Sequence, residues 1–118
     1  MKIRLTARNV ALSERLRVHV RGRLALALGR FGERIEKVSV RFTDTVADAD
    51  GRHGPSQKHC RIEVGLHPRA VSVEDEDADP FTAADGATDR LSRLVARALD
   101  REQDENRRAA PPPRGSKP

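Results

Sequence analysis

The stretch MKIRLTARNVALSERLRVHVRGRLALALGRFG, from Met1 to Gly32, decides the architecture. Lys2 to Arg8 alternate, with Ile3, Leu5 and Ala7 on one side and Lys2, Arg4, Thr6 and Arg8 on the other. That is the period of a half-buried strand. Asn9 to Leu12 makes a short link, and Ser13 can cap a helix by accepting an orphaned backbone N–H. From there Leu16, Val20, Leu24, Ala27, Leu28 and Phe31 recur at helical spacing, and Gly32 marks the end of the run. A strand followed by such a helix is a crossover, so the next strand lies parallel to the first, with a right-handed connection.

Working outward, a second strand spans about Ile35 to Asp44, with Val38, Val40 and Phe42 alternating against Lys37, Ser39 and Arg41. Thr45 to Gln57 carries Gly51, Gly54 and Pro55 and reads as an exposed hairpin loop. Lys58 to His67 alternates again, with Cys60, Ile62, Val64 and Leu66 opposed to His59, Arg61, Glu63 and His67. His67-Pro68-Arg69 forms a turn, Ala70 to Glu74 a short fourth strand, and Glu74 to Asp77 an acidic link. Asp79-Pro80 is a helix start, because aspartate caps and proline suits the first helical position. Phe81, Ala84, Thr88, Leu91, Leu94, Val95, Ala98 and Leu99 then share one helical face, which fades after about Asp104. The order β-α-β-β-β-α predicts an α+β fold, a four-stranded mixed sheet with both helices packed on one face.

The chain of 118 residues holds one domain, and with 3% aromatics its core rests on Leu, Val, Ile and Ala. Its formal charge of +5 comes mainly from arginine, whose planar fork matches phosphate oxygens. Cys60 is the single cysteine, which rules out an internal disulfide and fits a reducing compartment. No apolar signal stretch opens the chain, and no segment approaches the roughly 20 apolar residues of a membrane span. These features predict a cytoplasmic protein with no membrane partner.

The placement of charge says more than its sum. Arg90, Arg93, Arg97 and Arg101 are spaced by three or four and form one stripe on the second helix. Asp85, Asp89 and Asp100 occupy its opposite flank, so the arginines segregate from acids that could neutralise them. On the first helix Arg17 and Arg21 stand on one flank of the apolar stripe, and Arg15, His19, Arg23 and Arg30 on the other. Between the flanks run Val18, Gly22, Ala25 and Gly29, small enough for a phosphate backbone to come close. Lone arginines on helices often only solvate them, but segregated arginines on two neighbouring helices point to RNA phosphates. With so few aromatics for base stacking, recognition by shape and backbone is expected.

These residues resemble the bacterial ribosome hibernation-promoting factors, or ribosome-associated inhibitors, over Met1 to about Arg101. The opening MKIRLTARNVALSERLRVHVRGRL and the later DADPFTAADGATDRLSRLVARAL carry the resemblance. In the second segment Asp79, Phe81, Ala83, Asp85, Arg90, Leu91, Arg93 and Arg97 fall on motif positions. Leu26 stands where a basic residue is common, Phe81 replaces a usual Tyr, and Gly86 interrupts the second helix. The resemblance implies a fold similar to double-stranded-RNA-binding domains and a short form without the domain that joins ribosomes into dimers. A ribosome-binding domain is expected over residues 1–104, followed by a basic, Pro-rich tail over 105–118 whose lack of apolar periodicity predicts disorder. The resemblance further implies docking on the small ribosomal subunit and its ribosomal RNA, blocking the messenger and transfer RNA channel in starved, stationary-phase cells. The RNA contacts expected are Arg17, Arg21 and Arg23 on the first helix and Arg90, Arg93, Arg97 and Arg101 on the second.

Other chemistries are weaker readings. Cys60 points with Ile62 and Val64, as a core thiol does. His59 and His67 lie too far apart on one strand face to clamp a metal alone and match no structural zinc spacing with Cys60, and His19 reads as a helix-flank contact. Asp48, Asp50 and Gly51 lack the remaining ligands of a calcium loop. No catalytic residue, cofactor, metal or small-molecule substrate is expected. The alternative reading is a cytosolic protein-interaction adaptor that uses the open sheet face or the acidic loop and never enters the ribosome.

Overall fold

The computed structural model describes residues 1–44, 57–66 and 69–109, with side chains through residue 105. The long hairpin loop with His53, Asp48 and Asp50, the His67-Pro68 turn and the tail from residue 110 lie outside the described residues. The elements follow in the order β1 (Lys2–Arg8), α1 (Glu14–Leu28), β2 (Lys37–Asp44), β3 (Lys58–Leu66), β4 (Arg69–Asp77) and α2 (Pro80–Ala109). The sheet order is β1-β2-β3-β4, with β1 parallel to β2 and the other pairs antiparallel. The mixed sheet with its two helices is the α+β fold that the apolar periods predict.

Local chemistry accounts for the ends of the elements. Asn9 takes a left-handed φ of 62°, which a short polar side chain tolerates, and turns the chain off β1. Ser13 accepts a hydrogen bond from the Leu16 N–H at 3.2 Å and starts α1. α1 stops at Leu28, before the expected Gly32, and a 3₁₀ turn covers Gly29–Arg34. Gly32 inside that turn has φ 55° and ψ −129°, a backbone geometry that only glycine adopts without strain. At the head of α2 the Asp79 carboxylate accepts from the Phe81 N–H at 3.0 Å, and the Asp79 carbonyl accepts from the Ala83 N–H.

Two elements run further than their apolar periods. β4 continues through the acidic Glu74 to Asp77, a stretch that apolar alternation alone assigns to a link. The cause is cross-strand charge: Arg61 stands opposite Glu74 and binds it at 2.6 Å, and His59, the next residue along that face of β3, comes within 3.5 Å of the same carboxylate. Opposite charges facing each other stabilise a ladder that apolar alternation does not reveal. α2 continues to Ala109, beyond Asp104, because residues 101–109 contain neither glycine nor proline.

One face of the sheet is buried. Val38, Val40 and Phe42 of β2 and Cys60, Ile62, Val64 and Leu66 of β3 pack against Leu16, Val20, Leu24 and Leu28 of α1. Ala83, Ala84, Ala87, Leu91 and Val95 bring α2 onto the same core. Cys60 is fully buried, as its alternation predicts, and Asp75 lies beside it on the neighbouring strand. Phe42 is the one fully buried phenylalanine, while Phe31 and Phe81 are partly buried at the margin.

Candidate nucleic-acid interface

The helices form the outer layer of the domain, and their facing flanks are tied by polar contacts. His19 Nε2 lies 2.7 Å from Asp85 Oδ1, and the His19 ring meets Phe81 edge-on at 5.2 Å. Arg23 donates from Nη2 to Asp89 at 2.8 Å, and its Nε stands 3.2 Å from Asp85 Oδ1. Arg30 reaches the Ser92 hydroxyl at 3.4 Å while its guanidinium lies 4.7 Å from the centre of the Phe31 ring. These contacts show that the flank of α1 bearing His19 and Arg23, with Arg30 in the turn that follows, faces α2.

Arg23 is thus engaged by the two aspartates that helical spacing sets apart from the arginines of α2. The segregation holds along α2 itself but fails between the helices, because Asp85 and Asp89 point toward α1. A groove of about 460 Å³ lies at this seam, lined by Arg23, Leu26, Thr88, Asp89, Ser92 and Arg93. It brings Arg23 and Arg93 to one depression with an acidic wall. Arg17 and Arg21 stand on the other side of the apolar stripe of α1, away from α2. Arg17 is half-buried and Arg21 exposed, and the structure does not bring them to the arginines of α2.

The α2 stripe lies on the β4 side. Arg90 bridges the two elements: its Nη1 donates to the Glu74 carbonyl at 2.8 Å, and its Nη2 lies 4.0 Å from Asp75 Oδ1. Arg90, Arg93, Leu94 and Arg97 line one shallow groove of about 250 Å³. Arg97 continues into a second of about 280 Å³, which it shares with Arg101, Arg69 and the start of β4. Arg93, Arg97 and Arg101 are exposed and have no ion-pair partner among the described residues. The result is a basic strip along the outer edge of α2, suited to successive phosphates of a nucleic-acid backbone.

Arg69 belongs to this strip, although the sequence around it reads as a turn. In the β3–β4 register it is paired with Leu66 on the helix side of the sheet, and its guanidinium bonds Glu105. Reading the hairpin register would have placed it beside α2. His59 lies on the opposite, open side of the sheet, 3.5 Å from Glu74, and His19 is held by Asp85. Among the described residues no cluster of three or more His, Cys, Asp or Glu could hold a metal ion, and no helix is long and apolar enough to cross a membrane.

Comparison with known proteins bears on this geometry. A ribosomal subunit interface protein from Coxiella burnetii shares the fold with a TM-score of 0.68 at 17% identity, over 85% of this chain and 99% of that one. The N-terminal domain of Protein Y from Thermus thermophilus superposes with a TM-score of 0.61 at 31% identity, over 82% of this chain and 98% of that domain. No match was found among curated proteins. The profile of the Sigma 54 modulation protein / S30EA ribosomal protein family matches residues 3–103, which take in α1, β2, β3 and β4 whole, β1 from its second residue and α2 up to residue 103. The chain belongs to that family, the one its two motif segments resemble.

Proposed function

We propose that this chain is a non-enzymatic, cytoplasmic hibernation factor that docks on the small ribosomal subunit and blocks the channel for messenger and transfer RNA in starved cells. The observation that carries the reading is the run of Arg93, Arg97 and Arg101, exposed on α2 without ion-pair partners among the described residues. Structural ion pairs do not explain them, and a phosphate backbone supplies the missing negative charge. Arg90 joins the strip from a braced position, Arg17 and Arg21 extend contact across the far side of α1, and Arg23 meets RNA only at the rim of its seam. Family membership and the fold shared with a ribosomal subunit interface protein support the ribosome as the partner.

Sucrose-gradient sedimentation of the tagged protein from starved cells tests the proposal. The protein is expected with small subunits or whole ribosomes at low salt and at the top of the gradient at high salt. A protein that stays at the top even at low salt sinks the reading. Replacing Arg93, Arg97 and Arg101 together by Glu is expected to remove comigration while preserving the circular dichroism spectrum.

A further inference from the structure

The helices account for one side of the domain, and the other side is an open sheet with its own charge pattern. On that face β1 presents Lys2, Arg4, Thr6 and Arg8, and β2 presents Lys37, Ser39, Arg41 and Thr43. Lys2, Arg4, Arg8, Lys37 and Arg41 are all exposed, and none has an ion-pair partner among the described residues. Lys2 is paired directly with Lys37, and Arg41 directly with Arg61 of β3. Like charges placed opposite each other in a sheet are destabilising, so nothing in the ladder itself favours this arrangement. The acids of the face, Glu63, Glu74 and Glu76, lie on β3 and β4.

We propose that the open face of β1 and β2 is a second RNA-binding surface, so that the domain is held between two RNA segments. Lys2, Arg4, Arg8, Lys37 and Arg41 spread over about 20 Å along the strands, enough to meet several successive phosphates. β1 and β2 present no Phe, Tyr or Trp on this face, and its one ring, His59 on β3, is turned to Glu74, which assigns the β1–β2 surface to the phosphate backbone. A second copy of the chain would need free carboxylates to complement these cations. Glu63 and Glu74 are already spent on Arg61, at 2.9 and 2.6 Å, and Glu74 also faces His59, which leaves Glu76 as the one acid of this face without an ion pair among the described residues, against five cations. Charge complementarity therefore selects RNA over self-association. The proposal rests on the RNA-binding reading of the helices and adds a contact on the opposite side of the sheet.

The test uses the full chain with two short RNA duplexes, one carrying a donor dye and one an acceptor, and isolated small subunits as the natural probe. Wild-type protein is expected to bring the duplexes together at low salt. The variant Arg4→Gln/Arg8→Gln/Arg41→Gln is expected to bind a single duplex but to lose energy transfer. Its dependence of log K on log salt for small subunits is expected to be shallower, by nearly one unit for each phosphate it no longer neutralises. The helix variant Arg93→Gln/Arg97→Gln/Arg101→Gln is expected to lose energy transfer too, with the sheet still binding one duplex. Unchanged energy transfer and salt slope in the sheet variant would overturn the proposal and leave the helix reading standing. Unchanged behaviour of the helix variant alone overturns the helix reading instead. RNA-free dimerisation of the wild type in the ultracentrifuge, abolished in the sheet variant, gives the face to a second copy and likewise overturns the proposal. All of these changes are on exposed side chains, and matched melting curves confirm that each variant is folded.

Discussion

A Cβ placed on Gly86 would stand 1.6 Å from Asp75 Oδ2, so α2 meets β4 at a point where the helix has no side chain to give. The carboxylate of Asp75 occupies the volume that any other residue at position 86 would fill. The β3–β4 register sets the same Asp75 opposite Cys60, and Arg90 of α2 comes within 4.0 Å of it. Glycine inside a helix costs about 1 kcal/mol relative to alanine, and here that cost is explained by packing.

Gly86→Ala is therefore expected to leave stability unchanged or lowered, because Asp75 must swing out of place. In an Asp75→Ala background the same substitution is expected to stabilise by about 1 kcal/mol, the ordinary helical gain. Urea denaturation of the four proteins in this cycle measures the coupling. Equal effects of Gly86→Ala in both backgrounds would show that the contact does not constrain α2.

The seam between the helices yields a second expectation. Arg23, Asp85 and Asp89 are at least partly exposed, so their ion pairs contribute modestly to folding. A double-mutant cycle on Arg23→Ala and Asp85→Ala is expected to give a coupling below about 1 kcal/mol. A larger value would make Arg23 a structural arginine first and an RNA contact second.

The apolar periods carry the fold because they are read within one element: Val38, Val40 and Phe42 alternate whatever surrounds them. Pairs between elements are harder to see. Glu74 to Asp77 resemble a solvated link because their partners, Arg61, His59 and Lys58, are known only once the β3–β4 register is set. Asp85 and Asp89 lie on the flank of α2 opposite its arginines, as helical spacing indicates, yet that flank faces Arg23. The stripe of Arg93, Arg97 and Arg101 is legible because it depends on one helix alone. Arg69 is not, because a residue assigned to a turn has no face.

Cys60 gives a prediction about reactivity. Burial, aided by the neighbouring Asp75 charge, pushes its thiol pKa from 9.0 up to about 12. The thiolate is the nucleophile, so at neutral pH the native protein offers about a thousandfold less of it than an ordinary cysteine. Iodoacetamide is expected to label Cys60 only in urea. The raised pKa means the folded state holds this proton more tightly than the unfolded state. Its contribution to stability is complete below pH 9.0 and declines as pH rises toward about 12. Rapid native labelling at neutral pH would place Cys60 outside the core.

Glu74 acts at the other end of the pH scale. Hydrogen bonds from Arg61 first, and from His59, hold its carboxyl below the ordinary 4.5. A depressed pKa favours the fold above the ordinary value, and the benefit is lost as pH falls through the lower one. Glu74→Gln is expected to flatten the acid side of the stability profile below pH 4.5 while the neutral region shifts only slightly. Melting temperatures across that range measure it, and an unchanged acid slope would show that Arg61 and His59 do not favour the charged form.

The arginines of α2 are expected to separate by what each one touches. Arg90 donates to the Glu74 carbonyl and approaches Asp75, so Arg90→Gln should lower both stability, by about 0.5–1 kcal/mol, and ribosome binding. Arg93→Gln, Arg97→Gln and Arg101→Gln remove exposed side chains without ion-pair partners among the described residues, so each should leave stability within about 0.5 kcal/mol of wild type. If each contacts one phosphate, each substitution should weaken binding to small subunits and flatten the salt dependence by nearly one unit of log K per unit of log salt. Binding titrations at several salt concentrations, alongside urea denaturation, separate the two effects. An Arg97→Gln protein with wild-type affinity and slope would remove the middle of the strip from the interface, since Arg97 is the arginine shared by both grooves along α2.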